Sequence, residues 1–184
     1  MKKSLIFTMV GVVILGIVAL SFLGNNNGTS PQANETQDIK KLVQDYSIGN
    51  IENETASISS HELIVTNGEE NQLIYDLPED EFFVSIAPFI NQTHPCDIHS
   101  LTGCQGEMVN EEFDVHIEDS NGNVIIDQTM KSEANGFIDL WVPREETYQV
   151  TITQEGKIAE SEFSTFKNDK TCITTMQLME NNEA

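Results

Sequence analysis

Fifteen residues in the middle of the chain, His94-Pro95-Cys96-Asp97-Ile98-His99-Ser100-Leu101-Thr102-Gly103-Cys104-Gln105-Gly106-Glu107-Met108, carry two thiols, two imidazoles and a thioether. The third and last cysteine, Cys172, lies in the largely β-branched run Thr171-Cys172-Ile173-Thr174-Thr175-Met176. Thiolates and thioethers select Cu(I), Zn2+ or iron–sulfur species, whereas carboxylates and carbonyls suit harder ions. Three thiolates and one imidazole satisfy either a trigonal Cu(I) site or a tetrahedral Cys3His zinc site. The spacing C-x2-H-x4-C with a distant third cysteine is not a familiar zinc-finger pattern. The count of three is informative too. A purely structural disulfide framework outside the cell pairs all its cysteines, so here one sulfur stays unpaired or all three share a ligand. The expected metal ligands are therefore Cys96, His99, Cys104 and Cys172, with His94 and Met176 as further candidates. The competing assignment is a Cys96–Cys104 disulfide that closes the loop and leaves Cys172 as a small buried hydrophobe.

The surrounding residues sort less sharply. Pro95 restricts the backbone of His94 and can direct it away from the loop's interior. Met108 and Met176 are soft enough to assist Cu(I), but a methionine on an apolar strand face ordinarily fills core. Glu107, Asp97 and Gln105 could orient His99 or a thiol from an outer shell. His116 falls on the polar side of its strand, and His61 stands alone. Two of the three thiols, Cys96, Cys104 and Cys172, could also act as redox groups, reducing Cu(II) and leaving a disulfide. Two other classes remain in competition. A thiol–disulfide oxidoreductase would normally carry Cys-x-x-Cys at a helix start, which is absent. A zinc-stabilised structural or adhesion module would unfold when its metal is removed. No Gly-x-Ser-x-Gly, His-Glu-x-x-His or Gly-rich phosphate loop supports a hydrolase or nucleotide enzyme.

The rest of the chain must deliver and position these groups. Met1-Lys2-Lys3 precedes an uncharged, mostly apolar run from Leu5 to Gly24, about the length that crosses the hydrocarbon core of a bilayer. Residues 1–24 are thus expected to be a signal peptide or membrane anchor, with 25–35 as a linker and the body extracytoplasmic. The 184 residues hold 9 Lys and Arg against 30 Asp and Glu, and two of the nine, Lys2 and Lys3, lie before the apolar run. So acidic a body repels phosphate backbones and anionic headgroups, which excludes nucleic-acid binding and leaves the N-terminal segment as the only membrane contact.

Ile39, Leu42, Val43 and Tyr46 recur at helical spacing and predict a helix of about three turns. Leu63-Ile64-Val65, a turn at Asn67-Gly68 and Leu73-Ile74-Tyr75 predict a hairpin, followed by a strand from Phe82 to Ile86. Together they form a small N-terminal α/β region over 36–88. Beyond it Phe113, Val115 and Ile117 alternate with polar residues. Asn121-Gly122 turns the chain into Val124-Ile125-Ile126, and Ile138, Leu140, Val142 and Tyr148, Val150, Ile152 line two further strands. Cys172, Thr174 and Met176 are expected on one face of a last strand. The fold class is mainly β, α+β overall: a β-sandwich of immunoglobulin or transthyretin-like type over 89–184 that carries the Cys/His site.

The block from His94 to Met108, with Asn135-Gly136-Phe137, Trp141-Val142-Pro143-Arg144 and Asp169-Lys170-Thr171-Cys172-Ile173-Thr174-Thr175-Met176-Gln177-Leu178, resembles the CueP family of periplasmic copper-binding proteins. The resemblance runs from about Leu73 to Leu178. It implies a copper-resistance protein that binds copper outside the cytoplasmic membrane through three cysteines and a histidine, with Cu(II) reduced to Cu(I) by the thiols. The partners it implies are the copper ion, an external thiol reductant and a copper-receiving protein; a homodimer is compatible with the sequence.

Overall fold

The computed structural model describes residues 31–69 and 71–180. The apolar segment read as signal peptide or anchor lies outside the described residues, as do residues 25–30. Among the described residues no helix is long and apolar enough to cross a membrane.

Helix α1 (Pro31–Ser47) begins inside the stretch read as linker and is longer than the three turns expected. Proline suits its first position, where the missing N–H has no intrahelical partner to lose. Ile39, Val43 and Tyr46 are buried at i, i+4 and i+7, one face of a 3.6-residue period. Gly49, at φ 77°, ends the helix. The Gly49 and Asn50 amides donate to the Tyr46 and Asp45 carbonyls, the pairing of a Schellman cap.

Among the described residues twelve strands follow: β1 (Thr55–Ile58), β2 (Glu62–Thr66), β3 (Gln72–Asp76), β4 (Glu81–Ile86), β5 (His99–Ser100), β6 (Glu112–Asp119), β7 (Val124–Lys131), β8 (Ile138–Pro143), β9 (Thr147–Gln154), β10 (Lys157–Ser164), β11 (Cys172–Ile173) and β12 (Met179–Glu180). They form three sheets, ordered β3-β2-β1-β5, β12-β10-β9-β6-β7 and β11-β4-β8. The described residues are mainly β with one helix.

The three-stranded sheet lies between two cores, and the alternation of its side chains explains why. Phe82, Val84 and Ile86 of β4, with Ile138, Leu140 and Val142 of β8, share one core with Phe113, Val115, Ile117, Tyr148, Val150 and Ile152 of the five-stranded sheet. Phe83 points the opposite way, into a second core with Ile39, Val43 and Tyr46 of α1 and Ala56, Ile58, Leu63 and Val65 of β1 and β2. A strand buried on both faces reads as an unbroken apolar run, which Phe82-Phe83-Val84 is. The exception is Ser85, fully buried and polar.

The strand expected over Thr171–Met176 is shorter than the β-branched run suggested. Only Cys172 and Ile173 pair, parallel to Ser85 and Ile86 of β4. The chain then leaves the ladder, so the shared face expected for Cys172 and Met176 does not form. Met176 instead fills the core between the three- and five-stranded sheets, while Cys172 packs against Ala87 and Phe137.

Candidate metal centre

One row of side chains crosses the three-stranded sheet. The register places Cys172 of β11 beside Ser85 of β4, and Ser85 beside Asp139 of β8. Directly paired residues share a face, so a thiol, a hydroxyl and a carboxylate stand side by side on the face that also carries Phe83. His99 lies over this row. Its Nδ1 is 3.5 Å from Cys172 Sγ, and its Nε2 is 3.3 Å from Ser85 Oγ.

The loop before and after His99 supplies the other two thiols. Cys96 Sγ and Cys104 Sγ are 3.6 Å apart, and the ligand atoms of Cys96, His99, Cys104 and Cys172 all lie within 4.8 Å of one another. Short-range structure explains how residues eight apart converge. His99 and Ser100 pair with β1, and the Gly103 and Cys104 amides both donate to the Ser100 carbonyl, at 3.2 and 2.9 Å, folding Cys104 back. Thr171, next to Cys172, ties the two halves together. Its Oγ1 accepts from the His99 amide at 3.0 Å and donates to the Ile58 carbonyl at 2.6 Å, and its amide donates to the Asp97 carbonyl at 3.0 Å.

The far end of the loop is held by two glycines in contact. The Gly106 amide donates to the Asn135 carbonyl at 2.6 Å. A Cβ on Gly106 would stand 2.5 Å from the Gly136 carbonyl oxygen, and one on Gly136 would stand 2.7 Å from that of Gly106. Gly136 also has φ 81°, a conformation L side chains disfavour by roughly 1–2 kcal/mol. Glu107 is not an outer-shell partner of the cluster. Its carboxylate accepts the amides of Ile90, Asn91 and Gln92 and the Asn91 side chain. Burial raises its pKa, and these donors outweigh that, bringing it down to about 2. Asp97 pairs with Lys170 at 2.6 Å.

Aromatic rings line the pocket. His99 and Cys172 are buried and Cys96 and Cys104 half-buried. The Phe137 ring lies 4.5 Å from that of His99 and 6.3 Å from that of His94. His94 thus sits behind Phe137, outside the group of four, with its Nε2 buried and without a hydrogen-bond partner. Burial lowers the His99 pKa to about 4, with the neighbouring His94 adding to the depression. The ring is therefore neutral at ordinary pH, the form that can donate a lone pair to a metal. Burial also pushes the Cys96 thiol up to about 11, with the Cys172 hydrogen bond opposing and Cys104 adding to the rise. Cys172 is raised further, by burial first and then by Cys96 and Cys104. Several thiolates cannot ionise together in such a pocket without a cation to compensate them.

Behind His99 the row continues into a polar network that the sequence reading missed. Ser85 Oγ donates to Asp139 Oδ1 at 2.5 Å, and Ser47 Oγ donates to Asp139 Oδ2. Asn135 Nδ2 is 3.3 Å from both the carbonyl and the Oγ of Ser47. Burial raises the Asp139 pKa, opposed by the Ser47 and Ser85 hydroxyls, and Glu133 adds to the rise. The available signal was a serine and an aspartate inside apolar strands, Val84-Ser85-Ile86 and Ile138-Asp139-Leu140.

Comparison with known proteins agrees with the chemistry of this pocket. A family model described as "Periplasmic copper-binding protein CueP" matches residues 39–177, beginning within α1 and so reaching further toward the N-terminus than the sequence resemblance. A solved structure described as "Crystal Structure of S.CueP" is similar at 35% identity and TM-score 0.73, over 82% of this chain and 98% of that one. No curated protein matches.

Proposed function

The chain belongs to the CueP family of periplasmic copper-binding proteins, and from that premise we propose that it holds Cu(I) through Cys96, Cys104, Cys172 and His99 and reduces Cu(II) with its thiols. The observation that carries this reading is the convergence of three sulfurs and one neutral imidazole nitrogen within 4.8 Å. Three soft donors and a borderline one match Cu(I). The raised pKa values of Cys96 and Cys172 speak against either as the attacking cysteine of a thiol–disulfide oxidoreductase, which needs a depressed one. Residues 1–24 take the body across the membrane, as a cleaved signal peptide or as an anchor.

The redox step balances within the pocket. Cys96 and Cys104 each lose a proton and one electron and join as a disulfide, closing their 3.6 Å separation to the bond length of about 2.0 Å. Two Cu(II) ions each take one electron and become Cu(I). Cys172 and His99 are left to hold an ion, and an external thiol reductant reopens the disulfide for the next round. Adding two equivalents of Cu(II) to the reduced protein without oxygen should yield two Cu(I), trapped by a Cu(I)-specific chelator, while free thiols fall from three to one per chain. Three free thiols and no trapped Cu(I) would remove the reductive part of the proposal.

A further inference from the structure

We propose that Ser85 and Asp139 are positioning residues that lock His99 in the tautomer with its proton on Nε2, so that the Nδ1 lone pair faces the three sulfurs. The inference rests on the copper-site reading above and adds residues that touch no ligand position themselves, apart from Ser85 on the His99 ring.

The hydrogen bonds have a direction that can be followed from one end. Asn135 Nδ2 can only donate, and it points at the Ser47 carbonyl and Oγ, 3.3 Å from each. The Ser47 hydroxyl proton is therefore free to go to Asp139 Oδ2. Asp139 accepts a serine hydroxyl at each oxygen, and two such donors favour the carboxylate against its burial, so the Ser85 hydroxyl commits its single proton to Oδ1 across 2.5 Å. What Ser85 offers on its other side is a lone pair. The His99 Nε2, 3.3 Å away, meets that lone pair favourably only if it carries the ring proton. A neutral imidazole has one such proton, leaving Nδ1 bare, and Nδ1 is the nitrogen 3.5 Å from Cys172 Sγ. Metal-bound histidines are commonly fixed by a carboxylate or carbonyl on the far nitrogen. Here a serine is interposed, because β4 lies between the strands carrying Cys172 and Asp139.

Burial makes the arrangement consequential. His99, Ser85, Ser47 and Asn135 are all buried, so a broken link leaves an unsatisfied polar group. Asn135 acts on both sides of the ring. Its amide anchors Ser47, and its Oδ1 accepts the Phe137 amide at 3.0 Å, which seats the aromatic ring 4.5 Å from His99.

The test uses imidazole 15N shifts of the full metal-free chain together with Cu(I) affinity by chelator competition. The wild type should show protonated Nε2 and bare Nδ1. Asp139→Asn, which keeps the shape but can donate toward Ser85 and reverse the chain, should populate the opposite tautomer and weaken Cu(I) binding about 10–100-fold, with folding retained. Ser85→Ala should weaken binding over the same range. A wild-type ring with its proton on Nδ1 would overturn the inference even if neither variant folds, as would an Asp139→Asn protein with unchanged tautomer and affinity. The tautomer is read without metal. If the wild type has the expected tautomer but binds no Cu(I), the copper-site reading fails and the positioning of His99 stands.

Discussion

Replacing Cys172 by serine should weaken Cu(I) binding by about 100-fold or more and leave the fold in place. A four-ligand soft-metal site with an apparent binding free energy of about 10–16 kcal/mol near neutral pH draws about 3 kcal/mol from each ligand, which is about two orders of magnitude. Cys172 is a demanding position for that test because β11 delivers it from a distant part of the chain, while the other three candidate ligands come from the segment 96–104, His99 on the short strand β5. Serine is nearly isosteric, and its hydroxyl can hydrogen-bond His99 Nδ1, now 3.5 Å from the sulfur, so no buried donor is orphaned. Competition with a Cu(I) chelator reads the affinity, and a denaturation midpoint near the wild-type value shows that the loss is one of coordination. Unchanged affinity with an unchanged midpoint would remove Cys172 from the site.

Acid should destabilise the metal-free protein between about pH 6.5 and 4, through His99. Its folded pKa, about 4, lies below the ordinary 6.5, so the folded state refuses a proton that the unfolded chain accepts. The stability is complete above 6.5, declines as the pH falls, and is fully lost below about 4. At 1.36 kcal/mol per pKa unit the depression corresponds to about 3 kcal/mol. The group is fully buried, so solvent screening does not dilute the effect. Denaturant titrations at pH 7 and pH 4.5 should show the wild type losing most of this increment, and His99→Gln losing markedly less across the same interval. Equal losses in the two proteins would contradict the assignment. Glu107, lowered to about 2, contributes in the opposite part of the scale, between its ordinary 4.5 and 2, so the two groups are separable by pH.

The four residues that converge, Cys96, His99, Cys104 and Cys172, stood out in the sequence because their side chains are scarce and chemically specific: three cysteines in 184 residues, two of them in one loop with two histidines. The β-rich character was legible for a different reason. Phe113, Val115, Ile117 and Tyr148, Val150, Ile152 alternate cleanly because each strand has one face on a core and one toward solvent. Strand β10 escaped notice because only Ala159 and Phe163 of its eight residues are buried, too thin a pattern to stand out. The run from Thr171 to Met176 misled in the other direction. Its β-branched residues read as a strand, but the ladder ends at Ile173 and Met176 turns into the other core. The polar row Cys172, Ser85, Asp139 was out of reach of any local pattern. Periodicity assigns each residue a face of its own strand, and only the pairing of strands distant in sequence brings the three faces together. The glycine contact between 106 and 136 is hidden for the same reason.

X-ray absorption at the copper edge, on the reduced full chain loaded with Cu(I) and checked for metal content, reads the atoms around the ion themselves. One ion per chain is expected, with three sulfurs and one imidazole nitrogen around it. A shell of oxygen and nitrogen alone, or zinc retained in preference to Cu(I), or a Cys96–Cys104 disulfide that reductant cannot open, would contradict it.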